Sequence, residues 1–321
     1  MRFLGVDGGG TKTEFLIIDE RGNILSRSIK STSHYKQTSF SNFKEVLESG
    51  VRDVCDHIDL LPQRIDYSFI GIPGFGEIDS DVDKLEAIVE EVLGSKNYKC
   101  GNDSEAAWAG SLACNPGINI VAGTGAIGFG VDSRGKIQRA SGWGDLCGDE
   151  GSAYWISLKL IEAFTKQSDG RMEKTPLYRI FKEELKIEDD FEILDIVLNK
   201  FERRRDKIAS LASILFIAAE AGDPMAAEIY KDAAREHFLI IKSLVEKMDF
   251  KKDKEIFVSY SGGVFKAKKY VLEPLESLIS EYRGDIKLIK PILDPASGAA
   301  LYALKIYGED VKRATDRLEN Q

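Results

Sequence analysis

The sequence predicts an α/β protein built from two duplicated lobes, and three observations support this. The chain has 321 residues, which exceeds one typical domain of about 150 residues. The segments 2–25 and 118–138 share a layout of apolar strand, Gly-Thr turn, second strand and polar hairpin. Amphipathic helices and short apolar strands alternate along the rest of the chain, a pattern typical of α/β folds.

The internal repeat rests on matched residues. Gly10-Thr11 matches Gly123-Thr124, and Asp19-x-Arg21-Gly22-x-Ile24 matches Asp132-x-Arg134-Gly135-x-Ile137. Every match uses the same offset, without a gap. So few identities also arise by chance, but the shared strand-turn-strand pattern favours duplication. We therefore expect each lobe to open with a β-hairpin whose first turn is rich in glycine.

Hydrophobic periodicity and helix breakers place the remaining elements. Strands are predicted at 67–72 and 255–260. The predicted helices cover 40–58, 82–93, 104–112, 152–166, pieces of 177–201, 207–221, 225–248 and part of 291–307. The domain prediction is an N-terminal lobe at 1–115 and a C-terminal lobe at 116–297 that carries a helical insertion. The last helix, within 298–321, is expected to pack back on the first lobe.

Charge and hydropathy argue against two classes of partner. The net charge is −9 and the sequence pI is about 5.2, so the chain lacks the basic balance typical of nucleic-acid binding. The basic clusters at 203–205 and 266–269 lie among acids in helical contexts, and we interpret them as solvated helix faces. No run approaches the roughly 18 apolar residues that a membrane helix needs. We expect neither a nucleic-acid nor a membrane partner.

The cysteines indicate a reducing compartment. Cys55, Cys100, Cys114 and Cys147 are isolated, with no C-x-x-C pair. This spacing argues against a disulfide framework, a zinc site and an iron–sulfur cluster held within one chain. Reduced thiols are typical of the cytosol, and the apolar stretch at the N-terminus is too short for a signal sequence. We expect a cytoplasmic protein.

Three glycine-rich turns follow predicted strands and are candidates for binding phosphate. Glycine lets the backbone approach phosphate oxygens and direct its N–H groups at them. The candidate phosphate-binding residues are Gly9, Gly10, Thr11, Lys12, Thr13, Gly123, Thr124, Gly125, Gly262 and Gly263. Asp7 precedes the first turn and is placed to hold Mg²⁺ directly or through water, because magnesium prefers few carboxylates together with waters and phosphates.

Other interpretations of these turns are weaker. An ordinary tight hairpin turn explains any one of them alone. The string Gly123-Thr-Gly125-Ala-Ile-Gly128 matches the G-x-G-x-x-G dinucleotide motif, but that motif must open a helix and these residues continue as a strand. The P-loop pattern G-x-x-x-x-G-K-[ST] does not occur in the sequence. Three turns together, two of them related by duplication, favour nucleotide phosphates.

The segment Gly142-Trp-Gly-Asp-Leu-Cys-Gly-Asp-Glu-Gly-Ser-Ala-Tyr-Trp155 closely resembles the signature of N-acetylglucosamine kinases of the BadF/BadG/BcrA/BcrD-type ATPase family. The resemblance extends over nearly the whole chain, from Asp7-Gly-Gly-Gly-Thr11 to Ser261-Gly-Gly263. This family belongs to the sugar kinase, actin and chaperone ATPase superfamily. The resemblance implies two ribonuclease H-like (actin-like ATPase) lobes with a mixed sheet each, an interlobe cleft, ATP with Mg²⁺, and a homodimer.

The resemblance also implies roles for individual residues. Asp103 falls on the catalytic aspartate, Asp149 on an aspartate that binds sugar hydroxyls, and Thr124 on a threonine that contacts ATP. Ser210 falls near the adenine-side helix. The sugar-pocket candidates are Ser33, His34, Tyr35, Asn102, Asp103, Gly142, Trp143, Asp149 and Glu150. Animal enzymes have Asn where this chain has Ser33, so the resemblance leaves the exact sugar open.

The residues themselves allow two functions for each acid. Asp103 lies in the polar cluster 101–104 and directly precedes the predicted helix 104–112, so spacing alone fits both a helix N-cap and a base that accepts an alcohol proton. Asn102 is placed to orient phosphate or sugar. Asp149 and Glu150 fit either helix capping or sugar recognition, because carboxylate oxygens accept from hydroxyls. Trp143 and Tyr35 are candidates to pack on a sugar face.

The sequence therefore predicts an ATP-dependent amino-sugar kinase that phosphorylates the 6-hydroxyl of N-acetylglucosamine, with Asp103 as the base. Glucosamine, N-acetylmuramic acid and glucose are alternative acceptors. Two other functions remain open: an ATPase activator of a radical dehydratase or reductase, and a non-catalytic module that senses ATP or sugar.

Overall fold

A computed structural model describes residues 1–250 and 255–321. The chain forms two compact units, one comprising 1–119 with 289–321 and the other 120–288. Each unit contains a five-stranded sheet flanked by helices. The predicted α/β fold with two duplicated sheets is confirmed.

The secondary structure is as follows. The strands are β1 (Arg2–Gly8), β2 (Lys12–Asp19), β3 (Ile24–Ser31), β4 (Tyr67–Ile72), β5 (Tyr98–Asn102), β6 (Gly117–Ala122), β7 (Ala126–Val131), β8 (Ile137–Ser141), β9 (Ile256–Ser261) and β10 (Ile286–Leu288). The helices are α1 (Phe40–Asp56), α2 (Asp79–Leu93), α3 (Asp103–Ser111), α4 (Ala153–Ser168), α5 (Pro176–Leu185), α6 (Glu192–Asp195), α7 (Arg205–Ala209), α8 (Ala212–Glu220), α9 (Pro224–Lys247), α10 (Leu272–Tyr282), α11 (Pro295–Tyr307) and α12 (Val311–Glu319). Short 3₁₀ segments occupy Pro62–Arg64 and Gly263–Tyr270, and a π-helical turn occupies Ile196–Lys200.

The two sheets share one topology. Their strand orders are β3-β2-β1-β4-β5 and β8-β7-β6-β9-β10, so each places its first hairpin beside two later strands. In the first sheet, β1–β2 and β2–β3 pair antiparallel, whereas β1–β4 and β4–β5 pair parallel. In the second, β7–β8 pair antiparallel and β9–β10 parallel. Both sheets are therefore mixed.

The repeated hairpins are stabilised in the same way. Asp19 Oδ1 accepts from the backbone N–H groups of Arg21 and Asn23, both at 2.9 Å. Asp132 Oδ1 accepts from the corresponding N–H groups of Arg134 and Lys136, also at 2.9 Å. These hydrogen bonds explain why both copies of the repeat have an aspartate. Its carboxylate accepts from two backbone N–H groups of the turn, in place of backbone carbonyl acceptors.

The core of the first unit lies on both faces of its sheet. On one face α1 contacts β2 so closely that a Cβ on Gly50 would overlap the ring of Phe15. On the other face α11 crosses β1, and a Cβ on Gly5 would overlap the backbone of Ala300. Glycine is required at these contacts because the neighbouring element occupies the space of a side chain. Both faces of β1 are thus covered by helices.

Several predicted boundaries shift for identifiable reasons. Helix α11 begins at Pro295, because Asp294 caps it with a 2.9 Å bond from Ser297 N and proline suits the first helical position. Helix α2 begins at Asp79 rather than at residue 82, with Asp79 and Asp81 in its first turn, where the helix dipole favours acids. The segment that follows Gly262 is 3₁₀ rather than α-helical, and Lys268 interrupts it with non-helical φ and ψ.

Within the described ranges, 1–250 and 255–321, the helices are all too short or too polar to cross a bilayer.

The crossing of α3 and α11 generates a stability prediction. A Cβ on Gly298 would overlap the backbone nitrogen of Gly110, so Gly298→Ala must push the two helices apart. We expect it to lower the free energy of unfolding by about 1–3 kcal/mol or more, measured by thermal or denaturant unfolding. Gly284→Ala is the matched control, because a Cβ there meets no atom within 4 Å. Equal stability of the two variants would contradict the backbone contact.

Candidate active site

In the first unit, polar residues gather where three parallel strands end. Asp7 of β1 pairs with Gly71 of β4, and Gly71 pairs in turn with Gly101 of β5. Asn102 and Asp103 follow Gly101 directly. The carboxyl ends of parallel strands share one sheet edge, the usual place for a ligand in α/β proteins. Strand β4 lies between β1 and β5, and at this level it contributes only Gly71, which has no side chain to separate Asp7 from the start of α3.

The charges at this edge repel one another. Burial raises the pKa of Asp7 well above its usual range, and the nearby Asp103 and Glu14 carboxylates raise it further, while Lys12 opposes them. Burial also raises the pKa of Asp103, to about 6; Glu77 adds to the rise and the N–H of Ser104 opposes it. Carboxyl groups with raised pKa values in a recess are typical of functional sites.

Asp103 is the first residue of α3, and another side chain caps the helix. Asn102 is the N-cap: its Oδ1 accepts from Ser104 N at 3.1 Å, and the Glu105 side chain accepts from Asn102 N at 3.3 Å in a capping box. Of the two functions that spacing allowed for Asp103, the N-cap belongs to Asn102. The Asp103 Oδ1 atom accepts from Ser104 N at 3.0 Å.

A partly buried network supports this cap. Lys99 Nζ lies 2.8 Å from Glu105 Oε2 and donates to the Tyr302 hydroxyl at 3.1 Å. The same ammonium lies 4.8 Å from the centre of the Tyr302 ring, a cation–π distance. The network ties the start of α3 to β5 and α11.

The first glycine-rich turn is closed by its own backbone. Gly9 N donates to Lys12 O at 2.9 Å, and the Thr32 hydroxyl donates to Gly9 O at 2.8 Å. Gly10, Thr11 and Lys12 are exposed. The Lys12 ammonium lies 2.8 Å from Glu14 Oε2, so part of its charge is already compensated.

Thr13 and the predicted sugar-side residues differ in exposure. Thr13 is buried, and its Oγ1 has no hydrogen-bond partner among the described residues. Ser33 is buried, and its Oγ would lie 2.8 Å from a Cβ on Gly8, so it lines the first turn. His34 is half-buried, whereas Tyr35 is 5% exposed and packs its ring against Phe40.

In the second unit, two of the predicted glycine turns lie side by side. Gly262 has φ +104, and a Cβ there would lie 2.9 Å from Gly123 N and overlap Ala122 O. A Cβ on Gly123 or Gly263 would meet no atom within 4 Å, so the backbone is open at both positions. Ala153 N, at the start of α4, donates to Gly123 O at 2.8 Å. Two open backbone turns beside a helix N-terminus suit an anion.

Asp149 is held by three donors in the second unit. It is 3% exposed and has φ +62. The Arg205 guanidinium forms an ion pair with its Oδ2, and the backbone N–H groups of Ala126 and Gly144 also donate to the carboxylate. Burial raises the pKa of Asp149, and the charge of Arg205 and these hydrogen bonds oppose the rise.

This ion pair corrects one interpretation of the sequence. Arg203 and Arg204 are exposed, as expected for a solvated face. For Arg205 that interpretation is wrong, because its side chain turns toward the Gly123–Gly125 turn and donates to Thr124 O at 3.5 Å. A run of three arginines gives no signal of which one turns inward.

The remaining predicted residues of this unit lie nearer the surface. Trp143 is 72% exposed, and the Arg139 guanidinium lies 5.8 Å from its ring centre. Gly142 has φ +75, and Glu150 is half-buried. Ser210 is exposed at the end of α7, where its hydroxyl donates to Lys207 O at 2.6 Å.

His237 anchors the loop that contains Asp149. It is fully buried in α9, and its Nε2 lies 3.0 Å from Gly151 O. Since a carbonyl oxygen only accepts, Nε2 carries the proton. Burial lowers the pKa of this imidazole to about 4, so it is neutral near pH 7.

Three of the four cysteines are inside the protein. Cys55, Cys100 and Cys114 are buried, and Cys147 is exposed. Burial raises the pKa of the Cys55 thiol to about 11, as expected for a thiol that stays protonated.

Comparison with known proteins identifies the family. The BadF/BadG/BcrA/BcrD ATPase family matches residues 4–303. The chain belongs to this family. It is 29% identical over 310 residues to an N-acetyl-D-glucosamine kinase from Dictyostelium discoideum, covering 94% of this chain and 97% of that protein. It is 30% identical over 304 residues to an N-acetylmuramic acid/N-acetylglucosamine kinase from Clostridium acetobutylicum, with the same coverage of 94% and 97%.

A solved structure supports the fold. A structural genomics crystal structure from Chromobacterium violaceum, with N-acetylglucosamine kinase as its suggested function, aligns with a TM-score of 0.72 at 23% identity. The alignment covers 94% of this chain and 98% of the other. The family predicted from the signature at 142–155 is confirmed, and membership of an ATPase family implies that the chain uses ATP.

The protonation of His237 generates a prediction about acid stability. The unfolded imidazole binds a proton below about pH 6.5, whereas the folded one stays neutral down to about pH 4. Stability is therefore complete above the unfolded pKa and falls as the pH drops from 6.5 toward 4. Across this window, wild type should lose on the order of 3 kcal/mol more than His237→Gln.

Urea unfolding at several pH values measures this difference. Glutamine keeps an N–H donor for Gly151 O without titrating. His57→Gln, which replaces an exposed histidine, controls for the substitution itself. Parallel stability curves for wild type and His237→Gln would show that the buried imidazole is not the acid-sensitive group.

Proposed function

We propose that this chain is an ATP-dependent sugar kinase that transfers the γ-phosphoryl group of ATP to the 6-hydroxyl of N-acetylglucosamine. The family and the kinases to which the chain is about 30% identical support this proposal. Glucosamine, N-acetylmuramic acid and glucose are the other acceptors to test. The buried Ser33, where animal kinases have asparagine, supports testing the bulkier sugar as well.

The observation that carries the proposal is the state of Asp103. Asn102 caps α3, so the Asp103 carboxylate is not required for that purpose. Burial holds its pKa at about 6, near the operating pH at which a general base is most effective. A half-buried acid beside a second acid, Asp7, at a sheet edge suits proton acceptance better than structural stabilisation.

In the proposed reaction, Asp103 accepts the proton of the sugar hydroxyl, and the hydroxyl oxygen of the sugar forms a bond to the γ-phosphorus. The bond between that phosphorus and the leaving oxygen of ADP breaks, giving a sugar phosphate and ADP. Phosphoryl transfer needs little covalent chemistry from the protein and depends on positioning and charge stabilisation. Asp103 therefore has to be ionised when the sugar binds.

Asp7 fits a magnesium ion. The pKa of its carboxyl is raised by burial and by neighbouring acids, a repulsion that a divalent cation would relieve. Mg²⁺ bound with ATP would neutralise phosphate charge. Asp7 would hold the ion directly or through water, and Lys12 would add a point charge. The phosphates are proposed to bind the glycine turns at Gly9, Gly10, Gly123–Gly125 and Gly262–Gly263, whose backbone is open at Gly123 and Gly263. Ser210 is proposed to lie on the adenine side.

Sugar hydroxyls are proposed to contact His34, Asn102, Trp143, Glu150 and Asp149. Carboxylates have about four acceptor positions, and Arg205, Ala126 and Gly144 use three of those of Asp149. We propose that the remaining position accepts from the sugar. A homodimer, which the family resemblance implies, and a cytoplasmic location, which the isolated cysteines indicate, are further proposals that light scattering and fractionation would test.

A substrate panel tests the proposed function. Purified protein with ATP and Mg²⁺ should release ADP when N-acetylglucosamine is added, and the product should carry phosphate on oxygen 6. Asp103→Asn should lower kcat by about 10²- to 10⁴-fold, because general-base catalysis is lost, while calorimetry should still detect sugar binding.

Each outcome discriminates between functions. No sugar-dependent ADP release across hexoses and amino sugars would reject the kinase. Unchanged behaviour of Asp103→Asn would favour a sensing module. A brown, oxygen-sensitive preparation with bound iron would favour the dehydratase activator.

The acid limb of the pH profile of kcat/KM tests whether Asp103 is the general base. As the pH falls below about 6, Asp103 becomes protonated, and kcat/KM should fall about tenfold per pH unit. Glu77→Gln removes a charge that raises this pKa, so the limb should move to lower pH. Asp83→Asn, at an exposed position of α2, is the matched control and should leave the limb in place. If the acid limb stays at the same pH in Glu77→Gln, the titrating group is not Asp103.

A further inference from the structure

We propose that Arg205 is a positioning residue that couples the phosphate turn at 123–125 to Asp149, so that nucleotide and sugar bind cooperatively through its guanidinium group. This inference rests on the proposed function and assigns a role that the sequence does not indicate.

The guanidinium contacts both partners. Its Nη2 forms the ion pair with Asp149 Oδ2 and donates to Thr124 O at 3.5 Å. A Cβ on Gly125 would lie 2.5 Å from the same Nη2 and 2.8 Å from Asp149 Oδ2. Glycine at 125 therefore leaves the space that the ion pair occupies, and the turn packs directly against it.

Asp149 extends the linkage to a third segment. Its carboxylate accepts from Ala126 N, at the start of β7, and from Gly144 N, in the loop that carries Trp143. One guanidinium thus organises the phosphate turn, the start of β7 and the loop at 142–149. The planar fork of arginine suits this use, because lysine offers a single point of contact.

The environment of Arg205 leaves it capacity for a ligand. Its Nε is buried and has no hydrogen-bond partner among the described residues. The Nη1 atom lies 3.9 Å from Asp145 Oδ1, too far for a direct hydrogen bond. The nearest charged groups are thus Asp149, which is paired with the guanidinium, and Asp145, which lies beyond hydrogen-bond distance.

Binding of nucleotide and binding of sugar are coupled because Arg205 contacts both the turn at 123–125 and Asp149. A phosphate that orders the turn at 123–125 also fixes the guanidinium, and this fixes the Asp149 carboxylate before the sugar arrives. By thermodynamic linkage, sugar must tighten nucleotide binding by the same factor. Preorganised sites of this kind typically show coupling factors of about 5- to 150-fold.

Calorimetry on the intact protein measures the coupling factor. N-acetylglucosamine is titrated with and without adenylyl imidodiphosphate and Mg²⁺. In wild type, the analogue should lower the sugar Kd by at least about fivefold. In Arg205→Met the ratio of the two Kd values should fall to about one. Arg204→Met is the matched control, since Arg204 is exposed and pairs with Asp206, and it should keep the wild-type ratio.

Two variants separate coupling from folding. Arg205→Lys keeps a charge for Asp149 but not the fork, so its sugar Kd without nucleotide should stay near wild type while the ratio falls. The double variant Arg205→Met/Asp149→Asn removes both charges together, which avoids an unpaired buried carboxylate. It should fold and show a ratio of about one. Coupling that persists in either Arg205→Met or the double variant overturns the proposal.

A ligand-free measurement distinguishes this inference from the proposed function. Amide hydrogen exchange at Ala126 and Gly144 should accelerate at least about tenfold in Arg205→Met and not in Arg204→Met, because both amides donate to Asp149. Unchanged exchange overturns the positioning role. If wild type binds no sugar but exchange responds as expected, the proposed function fails and the linkage within this unit stands. If wild type phosphorylates sugar but its sugar Kd is the same with and without the nucleotide analogue, only the coupling fails.

Discussion

The first unit depends on holding two carboxyl groups, Asp7 and Asp103, at one sheet edge where water is partly excluded. Burial raises the pKa of both groups, and the Asp103 carboxylate raises that of Asp7 further, so this edge is electrostatically unfavourable without a cation. The capping box at Asn102 and the Lys99–Glu105 pair hold the start of α3 in place beside these charges. Such uncompensated charge is typical of catalytic edges rather than of structural ones.

The second unit uses the same sheet topology with a different electrostatic arrangement. Between β8 and β9 it carries α4 to α9, where the first unit has only α1 and a short 3₁₀ segment between β3 and β4. Helix α7 of this insertion supplies Arg205, and α9 supplies His237. Both residues act on the loop around Asp149. The helices between β8 and β9 therefore hold this loop through an ion pair and a histidine hydrogen bond, which the first unit lacks the helices to supply.

Local patterns made much of the fold predictable. The hairpin aspartates Asp19 and Asp132 bond within their own turns, so their repeat was visible in sequence, and strand β4 has the bounds that its apolar run predicts. The Asn102-x-x-Glu105 capping box was also local, and it could have separated Asn102 from Asp103 in the sequence.

Long-range contacts carry no such signal. Arg205 meets an acid 56 residues away, in a run of three arginines of which two stay in solvent. Gly298 meets Gly110 only because α11 crosses α3. Each depends on tertiary packing, which composition and periodicity do not encode. For this reason the two duplicated sheets were predictable, whereas the ion pair at Asp149 was not.

The contact between α3 and α11 has a consequence for how the protein is made. The unit that contains Asp103 is discontinuous: residues 289–321 complete it, and they follow the whole of 120–288 in the chain. During synthesis, the ribosome must release the second unit before α11 can cover β1 and fix the start of α3. Until then, one face of the first sheet stays uncovered. The second unit can therefore fold before the first unit is complete.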